Sequence, residues 1–93
     1  MAAPAPERDL YQGLLQIGVA YYQIKRENYR GALKMFRRGQ RNLRSLPEEM
    51  LGIDVEQLRV DAYRAENTLR SLGPVEISHF NRSLFSPVPK AES

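Results

Sequence analysis

From Leu10 to Ile24 the chain runs fifteen residues without a charged side chain. Leu10, Leu14, Ile17, Tyr21 and Ile24 recur at steps of +4, +3, +4 and +3, which is one face of an α-helix. Tyr11, Leu15, Gly18 and Tyr22 form a second apolar stripe beside the first. A helix that is apolar on more than one side calls for cover on more than one side. The expectation is therefore a central helix, and the question is what covers it.

The rest of the chain predicts an all-α fold of three helices built on an antiparallel hairpin. Pro6 suits a first helical turn, and Glu7 and Asp9 sit at the positive end of the helix dipole. Residues 1–5 read as loose, and helix one should run over 6–27. Asn28 is both a stop and a cap, so a second helix over 29–45 must fold straight back. Its core face is Ala32 or Leu33, Phe36, Gly39 or Gln40, Leu43 and Leu46. Gly39 costs about 1 kcal/mol against Ala inside a helix. Close approach of helix one, at small Gly18 and Ala20, is the compensation expected. Pro47 ends the helix.

Residues 47–53 read as a loop turning at Gly52, with Met50, Leu51 and Ile53 tucked against the hairpin. Asp54 and Gln57 suggest a capping box for a third helix over 55–72. Val55, Leu58, Ala62, Ala65, Leu69 and Leu72 form the most regular stripe in the chain. Glu56–Arg59, Asp61–Arg64 and Glu66–Arg70 read as ion pairs along it. Gly73-Pro74 closes the helical domain, 6–73, before a Pro/Ser-rich tail over 74–93. The tail's apolar anchors are Ile77, Phe80, Leu84 and Phe85. Ala32, Phe36 and Gly39 give a faint tetratricopeptide-like cadence, but one such unit makes no solenoid.

Ninety-three residues make one small domain, the size at which a partner often contributes to stability. The chain has no cysteine, so disulfides and thiolate metal sites are excluded. The first residues lack the basic and apolar regions of a secretory signal, and the uncharged run is short for a bilayer. A soluble, cytoplasmic protein is expected, or a stromal one in a plastid lineage.

Pro6-Glu7-Arg8-Asp9-Leu10-Tyr11-Gln12-Gly13-Leu14-Leu15-Gln16-Ile17, then Asn28-Tyr29-Arg30-Gly31-Ala32, then Gly52-Ile53-Asp54, resembles the helical family catalogued as domain of unknown function 309. The resemblance spans residues 6–72 and is closest to cyanobacterial or plastid members. It implies a helical bundle of unassigned activity. The family's most discussed motif is a histidine, a glutamate four residues on and then an aromatic, suggested to bind metal. That motif has no counterpart here. His79, the one histidine, is followed by Phe80-Asn81-Arg82-Ser83 and lies at the other end. The chain opens almost where the family's second half begins, so either those helices are lost or Met1 is not the natural start. In the full family the absent helices would cover part of helix one.

Charge is distributed unevenly. Lys25 to Arg44 carries eight cations against Glu27, a net of +7, while the remainder carries −4. Arg30, Lys34, Arg37, Arg38, Arg41 and Arg44 lie along helix two as a basic surface. Such a stripe could hold RNA phosphates or another anion. With no aromatic interleaved for stacking, a solvated face partly paired with Glu48, Glu49 and helix three is the favoured reading. Gln12, Gln16 and Gln23 share one side of helix one. They suit the amide wall of a ligand pocket, with Tyr22 beside it, or the least buried polar side of the helix. The tyrosines at 11, 21, 22, 29 and 63 read as core edge and interface.

No nucleophile–base pair, phosphate loop or metal-ligand cluster is present in the sequence, so no catalytic residue, metal or cofactor is assigned. The reading is a non-catalytic interaction module that uses the helix over 10–24 for self-association or a protein partner. One alternative is part of a metal- or small-ligand-binding domain completed by upstream helices. Another is anion or RNA binding by the helix over 30–44. No membrane partner is expected.

Overall fold

The uncharged run lies inside α1 (Ala5–Lys25) in a computed structural model, which describes residues 5–80 of the chain. α1 stops two residues earlier than expected. Glu27 adopts φ +59°, the left-handed conformation usual for a glycine at a helix terminus. Its N–H donates to the Ile24 carbonyl at 2.9 Å, and the Asn28 N–H donates to that of Gln23 at 2.8 Å. Together these close α1 with a Schellman turn. The Asn28 carboxamide oxygen then accepts from the Gly31 N–H at 3.1 Å and caps α2 (Tyr29–Leu43). One asparagine thus serves both helices, and the hairpin follows.

α2, not α1, is the middle helix. α1 packs chiefly on α2, and α3 (Val55–Leu72) packs on the opposite flank of α2. Ala32, Phe36, Gly39 and Leu43 are buried on α2, against Leu10, Ile17, Ala20 and Ile24 of α1. Val55, Leu58, Ala62, Ala65 and Leu69 of α3 complete the core, as their spacing predicts. α1 reads as central because its composition is apolar all round. Among the described residues, only one of its two apolar faces is covered.

The hairpin crosses at its glycines, though not the expected pair. A Cβ built on Gly39 would lie 2.8 Å from Ile17 Cγ1 and 3.2 Å from the Gly13 carbonyl oxygen. Gly39 therefore meets Gly13, whereas Gly18 points the other way.

α2 ends at Leu43, two residues short of the expected boundary, because its last turn tightens. The Arg44 and Leu46 N–H groups donate three residues back, to Arg41 and Leu43. The Arg59 guanidinium of α3 reaches across and donates to the Leu43 carbonyl at 2.7 Å and the Leu46 carbonyl at 3.0 Å. Replacing Arg59 with Ala should therefore lower stability by about 2 kcal/mol, through loss of charge-assisted bonds to helix-end carbonyls. Urea unfolding midpoints would measure it. A change below about 0.5 kcal/mol, the scatter of ordinary surface substitutions, would contradict the tethering role.

The segment expected as a loop contains a small hairpin, β1 (Glu49–Met50) paired antiparallel with β2 (Ile53–Asp54). Leu51 and Gly52 both have positive φ, at the tip of the tight turn that suits two-residue hairpins. Met50 and Ile53 pack on the core, but Leu51 is exposed at the tip instead of tucked. Asp54 caps α3 by accepting from the Gln57 N–H at 2.9 Å. The capping box is only half formed, because the Gln57 side chain donates to Asp61 at 2.8 Å. Among the described residues Asp61 forms no ion pair with Arg64, while Glu56–Arg59 and Glu66–Arg70 form as expected. After Gly73 a short 3₁₀ turn (Ile77–His79) brings Ile77 and Phe80 into the core. Leu84 and Phe85 lie outside the described residues.

Candidate interaction surfaces

Opposite its buried face, α1 presents Tyr11, Leu15 and Tyr22 at 58%, 64% and 55% exposure. Gly18 lies among them, and a Cβ built on it would meet nothing within 4 Å among the described residues. Gly13 and Gly39 exist for a close contact within the chain. Gly18 has no such reason, and in a helix interior it costs about 1 kcal/mol. The Arg26 guanidinium sits 5.8 Å over the Tyr22 ring at one end of the stripe. Glu7 and Arg8 stand at the other end.

The three glutamines of α1 meet different surroundings. Gln12 is exposed. Gln16 accepts from the Asn42 amide of α2 at 2.6 Å, and Gln23 accepts from Asn28 at 3.1 Å. Their amides pin the hairpin along one flank, away from the exposed apolar stripe. The sequence carries a trace of this, since Asn42 is an uncharged polar residue on a helix rich in arginine.

Arg30, Lys34, Arg37, Arg38 and Arg41 lie on the outer side of α2, a helix that contains no acid, and Arg44 at its C-terminal cap is exposed beyond them. Neighbours three or four apart form six like-charge pairs, each destabilising by about a few tenths of a kcal/mol. Among the described residues Arg37 alone finds a carboxylate, Glu66 of α3 at 3.5 Å. Glu48 and Glu49 pair with none of these cations among the described residues. Arg30, Leu33, Lys34, Arg37, Arg38 and Arg41 line a shallow groove of about 420 Å³.

Beyond Arg41 the surface turns toward α3. Gln40 of α2, Arg44 just past its end, and Arg59 and Tyr63 of α3 line a second groove. Tyr63 is 59% exposed, and it also lines a groove of about 590 Å³ along α3 with Val60, Arg64, Asn67 and Thr68. An exposed aromatic therefore does adjoin the basic stripe, contributed by another helix, where no reading of α2 alone finds it.

The spacing along α3 marks Glu66 as the within-helix partner of Arg70, and that pair forms. Glu66 is buried, and it holds the α2–α3 seam. Its carboxylate accepts from the Gln40 amide at 2.5 Å and faces Arg37 and Arg70 at 3.5 and 3.6 Å. Its position next to Ala65 and three residues before Leu69 is the sequence trace of that burial. Burial, with a smaller contribution from the Asp61 charge, pushes the Tyr21 phenol up to about 12. His79 is exposed at the edge, and among the described residues no three His, Cys, Asp or Glu side chains gather as a metal site. No helix among the described residues is long and apolar enough to cross a membrane.

Residues 1–35 match the family described as Domain of unknown function (DUF309). The match takes in α1, the reversal at Glu27 and the first turns of α2, a shorter span than the 6–72 of the residue-level resemblance. No curated protein and no solved structure matches the chain.

Proposed function

We propose that this chain is a non-catalytic interaction module, and that the outer face of α1 pairs antiparallel with α1 of a second copy. Gly18 is the observation that carries this reading: a helix-interior glycine facing open space beside exposed Leu15 and Tyr22. A two-fold axis between residues 16 and 17 sets Leu15 opposite Gly18 of the other copy, a large side chain against a gap. It sets Tyr11 opposite Tyr22, and Glu7 opposite Arg26. A surface that matches itself in this way suits an isologous dimer. Arg8 falls opposite Lys25 at the exposed rim, which offsets the Glu7–Arg26 attraction. Association should therefore depend little on salt.

Sedimentation equilibrium tests the reading. The parent chain should approach twice its monomer mass as concentration rises. Leu15→Glu should weaken association by at least about tenfold while leaving the far-UV spectrum unchanged, because Leu15 is outside the core. A parent chain that stays monomeric at the highest attainable concentration would overturn it.

A further inference from the structure

We infer that the basic face of α2, together with Tyr63 of α3, binds single-stranded nucleic acid. This surface is separate from the α1 face and its argument does not depend on pairing there. From Arg30 to Arg44 the stripe covers roughly 21 Å at 1.5 Å per residue. Five of its six cations have no ion pair among the described residues, and Arg37 shares its partner with Arg70. A face built only for solubility needs no such exclusion of acids, since interspersed signs dissolve a helix equally well and avoid the repulsion. Guanidinium groups in a row are suited to phosphate oxygens, which they can bind with two parallel hydrogen bonds.

Tyr63 narrows the class of polyanion. Its ring lies in the groove that Arg44 and Gln40 close on the α2 side, one helical turn beyond Arg41. A strand following the stripe would bring a base over that ring. Stacking on a protein aromatic requires an unstacked base, so a closed duplex could use the cations but not Tyr63. Asn67 and Thr68 lie beside the ring along α3 and offer hydrogen-bonding groups to a base edge. Arg64 lines the same groove and has no ion pair among the described residues. Glu56, the carboxylate of this groove, is held by Arg59 at 3.0 Å and so repels a strand less. An anionic membrane fits poorly, because the outer side of α2 offers only half-buried Leu33 for insertion.

Fluorescence anisotropy of the full chain with a labelled oligouridylate of about twelve nucleotides tests the inference. A duplex of equal length and polyglutamate of equal charge serve as competitors. The single strand should bind and be displaced poorly by either. Arg38→Ala with Arg41→Ala should reduce the log–log salt slope by about 1.4, or 0.7 for each lost phosphate contact. Tyr63→Ala should weaken binding by about tenfold at unchanged salt slope, and Tyr63→Phe should restore it to within about twofold. All three positions are exposed, and far-UV spectra check that the variants fold. The inference is overturned if the oligouridylate does not bind. It is equally overturned if duplex or polyglutamate competes on equal terms, or if Tyr63→Ala binds like the parent.

Discussion

Phe36→Ala is expected to remove about 3–5 kcal/mol of folding stability, the range for deleting a buried aromatic. Phe36 is fully buried on the middle helix, where α1 and α3 both pack. Its ring meets Tyr21 edge-on, with centroids 5.3 Å apart and planes at 85°. That contact adds about 0.5–1.5 kcal/mol to the burial itself. A domain of this length has roughly 5–14 kcal/mol in total, so the variant should be near its unfolding threshold in water. Urea titration of parent and variant measures the loss. A loss below about 1.5 kcal/mol would mean that α1 and α3 do not share Phe36 as a common core.

Phe36→Leu gives a milder version with a second readout. Tyr21 stands at about 12 because burial disfavours its phenolate, with Asp61 as the lesser cause. The folded pKa of this acid is therefore raised above its unfolded value of about 10. The phenol's contribution to stability is full below pH 10 and falls as pH rises from about 10 to 12, since the unfolded chain ionises first. A smaller residue at 36 should admit water and lower the Tyr21 pKa toward 10. The phenolate absorbance of Phe36→Leu, with Tyr21→Phe as the blank, would show the shift.

Local chemistry made much of this fold readable from residues alone. Asn28, Asp54 and Gly73 punctuate the chain, and the +3/+4 stripe of α3 gives both its bounds and its buried face. What could not be read depends on which surfaces meet. α1 carries two apolar faces, and nothing local says that only one is covered. The same limit hid the Gly13–Gly39 crossing, because each glycine looks like a propensity defect until the other helix is placed beside it. Charge patterns were the least readable. Glu66 has an i,i+4 partner in Arg70, which makes it look like a surface ion-pair residue, and only the packing of α3 on α2 buries it against Gln40 and Arg37. Tyr63 is likewise unremarkable within α3 and gains meaning from the arginines of α2. The candidate surfaces thus combine a stripe visible in one helix with a neighbour that only the packing supplies.

Three of the glycines in the hairpin, Gly13, Gly18 and Gly39, should respond to alanine with opposite signs. Gly39→Ala is expected to cost about 2 kcal/mol, and Gly18→Ala to add about 1 kcal/mol to the monomer. At Gly39 the new methyl would stand 2.8 Å from Ile17 Cγ1 and 3.2 Å from the Gly13 backbone oxygen. Neither is the free end of a flexible chain, so the two helices must separate, and the separation outweighs the gain in helix propensity. Gly13→Ala should behave likewise, with its methyl 2.8 Å from Leu43 Cγ and 3.3 Å from the Gly39 carbonyl oxygen. At Gly18 no atom of the described residues opposes the methyl, and the propensity gain stands alone. Urea unfolding at a concentration low enough to disfavour any pairing of α1 measures these stabilities. The same Gly18→Ala protein at high concentration tests the pairing of α1, because the added methyl fills the gap that Leu15 of the second copy would enter. Higher monomer stability with weaker association is the expected combination. Higher stability with unchanged association would place the contact elsewhere on the face, and lower stability would mean that Gly18 is packed within the chain after all.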